Sequence, residues 1–311
     1  MKRLAFAFVF ALASLTVACG GGGNGTPPPP PVGGFTNASL KGNYAFSMAG
    51  QDATSALFGA FITRVGSFVA DGNGNITNAI EDLDDGGAIS TVSFSQGGTY
   101  TIQANGKGIL TLQTAAGTAL QLSISLAAAA PAGKGFMIQT DLNATSSGNF
   151  SQQDISSFTQ PFSASTYIFD FSGTESAGFP ITYVGNIALN GSGGAGTGTL
   201  DRNDGGNPND PSGPLTINAG GSYQLDNNAG NAANFGRGTI TFGGLSFAFY
   251  PVDQTHAFML ETDGSSFTSG DAFQQSGTIA TQTSGFSGNF AFLAGGTGLT
   301  NAGAFTLAAR F

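Results

Sequence analysis

Apolar and polar residues alternate with a period of two along most of this chain. Tyr44, Phe46 and Met48 alternate with Ala45 and Ser47, and Leu120, Leu122, Ile124 and Leu126 with Gln121, Ser123 and Ser125. Further on, Tyr167, Phe169 and Phe171 alternate with Ile168, Asp170 and Ser172. Successive strand side chains point to opposite faces, so each run predicts a strand with one buried face. Clusters such as Asp71-Gly72-Asn73-Gly74, Asn105-Gly106 and Asn190-Gly191 separate the runs. Gly and Asn tolerate positive φ, which makes these hairpin turns. No convincing amphipathic helix is expected.

The pattern repeats. The segment Leu40-Lys41-Gly42-Asn43-Tyr44-Ala45-Phe46 returns around Tyr167-Ile168-Phe169 and again at Phe286-Ser287-Gly288-Asn289-Phe290-Ala291-Phe292. Tyr44, Tyr167 and Phe290 fall 123 residues apart, as do Tyr100 and Tyr223. Phe136-Met137-Ile138-Gln139-Thr140-Asp141 matches Phe258-Met259-Leu260-Glu261-Thr262-Asp263, and Gln152-Gln153 matches Gln274-Gln275. Solenoid units repeat every 20–50 residues or so, and a longer period marks a whole domain. The chain therefore divides into residues 1–18, 19–36, a first β repeat at 37–160, a second at 161–284, and a partial third at 285–311. The fold class is all-β: two tandem antiparallel meanders of about eight strands each, as a small barrel or a sandwich. The lone hairpin opening the third copy is marginal by itself. The Gly-Asn-Tyr opening and the all-hairpin order resemble barrels of the avidin and lipocalin style, which implies a fold and no ligand.

Composition refines this picture. The chain has 311 residues, of which 50 are Gly and 28 Phe, while only 9% are charged. Net charge is −9, and removing Lys2 and Arg3 with residues 1–18 leaves −11. An acidic chain without clustered cations is a poor partner for nucleic acid and for an anionic membrane surface.

The N-terminus is an export signal. Met1-Lys2-Arg3 precedes an apolar run from Leu4 to Val17, shorter than the roughly 20 residues of a membrane helix. The run ends in Leu15-Thr16-Val17-Ala18-Cys19, which resembles the lipobox of bacterial lipoprotein precursors. Ala18 and Cys19 match that family. Its usual Leu three before the cysteine is replaced by Thr16, with Leu15 one position upstream. The resemblance implies cleavage before Cys19, diacylglycerol and palmitate on that residue, and, with Gly20 rather than Asp following, delivery to the cell outer membrane. Whether the protein faces the periplasm or the cell surface stays open. Cys19 is the only cysteine, so no disulfide forms within the chain. Gly20 to Gly25 and the prolines Pro27 to Pro31 then form a flexible and stiff tether.

Candidate chemistry is sparse. Glu81-Asp82-Leu83-Asp84-Asp85, and Asp201 with Asp204 in the second repeat and Asp210 nearby, could hold Ca²⁺ weakly on one loop. A solvated charged loop is the plainer reading. Asp71-Gly72-Asn73-Gly74-Asn75 has Ile76 where an EF-hand needs Gly, and reads as a turn. His256 is the only histidine and, without Cys or a second His, makes no zinc site and no Cys–His pair. No Gly-x-Ser-x-Gly elbow supports a Ser-His-Asp triad. No cofactor is expected. The whole chain resembles Gly-rich repeat lipoproteins of bacterial envelopes, which implies no activity and no site residue beyond Cys19. The expected function is non-catalytic: a lipid-anchored envelope protein presenting β domains for binding or scaffolding, with carbohydrate or an envelope protein as partner. The alternatives are one large outer-membrane barrel of about 16–18 strands, suggested by the terminal strand ending in Phe311, and a secreted hydrolase.

Overall fold

A computed structural model describes residues 34–53, 60–129, 132–205, 214–226, 235–276, 291–297 and 304–310. The alternating runs become strands. The first repeat holds β1 (Lys41–Asp52), β2 (Phe61–Asp71), β3 (Asn75–Asp85), β4 (Ala88–Ser93), β5 (Gly98–Ile102), β6 (Lys107–Gln113), β7 (Ala119–Leu126), β8 (Lys134–Gln139) and β9 (Ala144–Gln152). The second holds β10 (Ala164–Glu175), β11 (Pro180–Asn190), β12 (Gly194–Asp204), β13 (Leu215–Ile217), β14 (Gly221–Leu225), β15 (Gly238–Phe242), β16 (Leu245–Asp253), β17 (His256–Glu261) and β18 (Ser266–Gln274). In each, eight antiparallel strands close on themselves, because β3 pairs back to β2 and β12 back to β11. The ninth, β4 or β13, pairs with the far half of β3 or β12 outside the ring. Closure removes the sheet edges that low-charge strands protect poorly. The architecture is two barrels, each with one extra strand, and not a sandwich. It is also not the single ring of sixteen to eighteen strands that the outer-membrane alternative requires. β19 (Ala291–Thr297) and β20 (Ala304–Arg310) pair with each other in a separate two-stranded sheet.

Both interiors are filled with side chains. Tyr44, Phe46, Phe68, Leu110, Leu122 and Phe150 lead the first core, and Phe162, Tyr167, Phe171, Phe247 and Phe249 the second. Burial of large aromatic side chains is the main favourable term in such small domains. The Gly and Phe excess has a shared cause. Phe46 stands opposite Gly66 in register, Phe169 opposite Gly185, Phe150 opposite Gly135 and Phe249 opposite Gly238. A Cβ on these glycines would lie 2.7, 2.6, 2.4 and 2.3 Å from the facing ring. Each ring therefore lies across a bare backbone, which lets a large side chain fit a narrow lumen.

The turns carry local chemistry. Asp71 Oδ1 accepts the N–H groups of Asn73 and Asn75 at 2.6 and 3.0 Å. Asn190 Oδ1 accepts those of Ser192 and Gly194 in the same way, both at 2.8 Å. Gly72, Gly74, Gly106, Gly191 and Gly193 take positive φ. An amide replaces the carboxylate in the second repeat and keeps both backbone bonds, so the Asp71 segment is a turn that works without a cation.

Candidate functional site

The outer faces of the barrels hold the chemistry. Strands of one barrel expose every second residue outward, and a set of these is buried between the barrels: Ala45, Val65 and Ile80 from the first, with Phe235, Tyr250, Val252, Phe258 and Leu260 from the second. At the edge of this apolar patch Asp82 receives the fork of Arg237, Nε to Oδ2 and Nη2 to Oδ1, both at 2.8 Å. Tyr250 donates to Asp82 Oδ2 at 2.8 Å, and Thr91 to Oδ1 at 2.7 Å. Arg237 also bonds Asp226 at 2.8 Å. Burial opposes the charge of Arg237, and the bidentate bond to Asp82 outweighs it and keeps the guanidinium protonated. The Thr63 hydroxyl bonds the Ser269 hydroxyl across the same joint. The connecting segment is pinned as well. Gln153 Nε2 donates to the carbonyls of Phe235 and Pro251 at 3.0 and 2.8 Å, and the Asp154 N–H to that of Val252 at 2.7 Å.

This placement corrects the reading of residues 81–85 as a loop. They lie in β3, and Glu81 and Asp82 are buried on opposite faces. Asp82 belongs to the joint. Asp84 is buried and accepts the Gly87 N–H at 2.8 Å, and burial pushes its carboxyl up to about 6 against that bond. Asp85 is half-buried, and its carboxyl too is raised, first by burial and then by Asp52. In β12, Asp201 is exposed while Asp204 is buried and bonds Arg202 at 3.0 Å. Among the described residues no three His, Cys, Asp or Glu side chains gather as a metal group. Cys19 and Asp210 lie outside the described residues. His256 opens β17, where Nε2 lies 2.7 Å from Asp271 Oδ1 and the ring stacks on Phe273 at 4.3 Å.

Two carboxyls turn inward: Glu81 of the acidic segment, and Glu261, which the sequence reading passed over. Glu81 bonds Arg64 inside the first barrel, and burial pushes it up to about 7 against the pull of that cation. In the second barrel Glu261 sits in a cup of hydroxyls, accepting from Ser266 at 2.8 and 2.7 Å, from Thr268 at 2.7 Å and from Ser265 at 3.2 Å. Burial pushes it up to about 7 against those bonds. Glu261 has no exposure to solvent, so its proton serves the packing of the lumen. Residues of this kind show no motif. Only the parity of Met259 and Glu261 on one strand face indicates that the carboxyl points inward.

Apolar side chains also remain on the outside. Ile168, Val184 and Phe273 are exposed on the second barrel, around a groove of about 360 Å³ that Asp170, Ser269 and Asp271 also line. On the first barrel Ile109, Phe136 and Ile138 are exposed along β6 and β8.

No family model matches this chain, and no curated protein sequence matches it. Among solved structures, it is similar to a protein of Nitrosomonas europaea described as AttH, at 11% identity and a TM-score of 0.24, over 75% of this chain and 92% of that one. It is also similar to kievitone hydratase from Nectria haematococca, at 7% identity and a TM-score of 0.24, over 76% of this chain and 90% of that one. Likeness at this level carries no activity to the chain.

Proposed function

We propose that this chain is a lipid-anchored, non-catalytic protein of the bacterial envelope whose tandem barrels bind through their outer faces. One observation carries the reading: the lumens are filled by aromatic side chains, whereas large apolar residues stand uncovered on the outer sheet faces. A barrel that carries a small molecule needs an enclosed cavity, and one that meets a macromolecule needs an exposed face with apolar anchors and a polar rim. Ile168, Val184 and Phe273 bordered by Asp170 and Asp271 fit the second description. The lipobox-like Cys19 and the Gly/Pro tether supply an anchor and reach.

Fatty-acid labelling of wild type and Cys19→Ala in cells, followed by protease shaving of intact cells, tests the anchor. Label that depends on Cys19 is expected, and shaving then decides which side of the outer membrane the barrels occupy. Label on both chains, or on neither, overturns the reading.

A further inference from the structure

The joint between the barrels is made from two different faces of one repeated fold, and each barrel also carries the face that the joint does not use. Register identifies the counterparts. Tyr44 and Tyr167 are equivalent, so Val65 corresponds to Val184, Thr63 to Thr182 and Asp82 to Asp201. Met137 and Met259 are equivalent, so Phe258 corresponds to Phe136, Leu260 to Ile138 and Ser269 to Ser147. The glycine pairs Gly108–Ile124 and Gly238–Phe249 place Lys107 where the second barrel has Arg237.

The charge pair, the hydroxyl pair and part of the apolar contact survive at these uncovered positions, while Ile80, Phe235 and Val252 give way to Thr199, Asn105 and Ala127. Asp82 with Arg237 becomes Asp201 with Lys107, opposite charges on the two free faces. Thr63 with Ser269 becomes Thr182 with Ser147. Phe258 and Leu260 against Val65 become Phe136 and Ile138 against Val184. Phe258 is 1% exposed and Phe136 72%; Val65 is buried and Val184 is 54% exposed. Volume is also exchanged: Tyr250 gives way to Ser125, while Ala45 across the joint gives way to the larger Ile168. Five exposed large apolar residues, Ile109, Phe136, Ile138, Ile168 and Val184, lie on these two faces.

We infer that the partner of the second barrel's free face is the first barrel of a second copy of this chain, docked as the two barrels dock within one chain. The inference rests on the outer-face reading above and names its occupant. Such a contact is heterologous. It leaves one free face at each end and so extends into a head-to-tail row instead of closing as a symmetric dimer. Lys107 is a single ammonium where Arg237 offers a fork, and no linker holds the partners together, so each contact is weaker and forms where the anchored chains are concentrated on one membrane.

Because the Thr63 and Ser269 hydroxyls touch in the internal joint, cysteines at Thr182 and Ser147 lie within disulfide reach in the inferred contact. The full chain carrying Ser147→Cys and Thr182→Cys, oxidised in isolated membranes, is expected to give a ladder of dimers, trimers and longer species. Co-expression of the two single variants is expected to give a dimer and nothing larger. Adding Asp201→Lys is expected to cut the ladder at least tenfold, and Lys107→Asp in the same chain to restore it. A single variant that cross-links with itself as well as with the other overturns the head-to-tail geometry. A disulfide closed within one chain, cross-linking only to another protein, or no ladder overturns the second copy as partner. The label tells these failures from that of the anchor: a chain without label on Cys19 fails the anchor, whereas a labelled chain that gives no ladder fails the second copy as partner.

Discussion

Glu81 and Glu261 are two solutions to one problem, a carboxylate turned into a packed lumen. The duplicate of each position is instructive: Arg64 and Glu81 correspond to Tyr183 and Leu200, and Glu261 to Gln139. One barrel tolerates the exchange of an ion pair for a phenol and a leucine, consistent with the small net gain of buried pairs over packed apolar groups. Glu261 keeps its carboxyl without a paired cation, at a cost that depends on pH. An unfolded Glu loses its proton near 4.5, while the folded chain holds it to about 7. Between these values the folded state binds more protons, so stability falls as pH rises through that window. Glu261→Gln is expected to flatten this decline, gaining on the order of 3 kcal/mol at pH 8 relative to wild type. Urea unfolding at pH 5 and pH 8 measures the difference, and an unchanged pH slope counts against the burial argument.

At the scale of strands and turns, the most specific device is the ring laid over a glycine. Gly185→Ala places a methyl against Phe169 and is expected to cost about 1–3 kcal/mol through overpacking. Phe169→Leu in the same chain is expected to recover part of the loss, a coupling that thermal unfolding of the single and double variants reads. Much at this scale was legible in the sequence. Alternation set the strands, and Asp71, Asn105 and Asn190 before their glycines set the turns, because both signals are local. What was not legible depends on pairing at long range. A count of about eight strands leaves no place for a ninth, and only the register of β3 with both β4 and β5 makes β4 an extra strand outside the ring. Five residues with four carboxylates looked like a loop, since Asp is a poor strand former. They form a strand because Arg64 meets Glu81 from within the barrel and Arg237, 155 residues along the chain from Asp82, meets it from the other.

For the whole molecule, the joint decides whether two barrels behave as one body. An apolar cluster, a forked ion pair and a pinned connector cross it, so wild type is expected to unfold in a single transition. Asp82→Ala removes the forked partner of Arg237 and leaves it Asp226 alone, and is expected to cost about 1–3 kcal/mol, separating two calorimetric transitions. One transition in both proteins, with only a shifted midpoint, argues that the barrels communicate by other contacts. The sequence announced two repeats through Tyr44 and Tyr167, but the joint was hidden there, since its partners differ from face to face.

A joint built from unlike faces of like units also has a bearing on inheritance. Recombination between the repeats can insert or delete a barrel in frame, and every seam that remains meets a face of the kind it met before. Domain number can therefore drift between lineages by gene duplication alone, with no new interface to be selected.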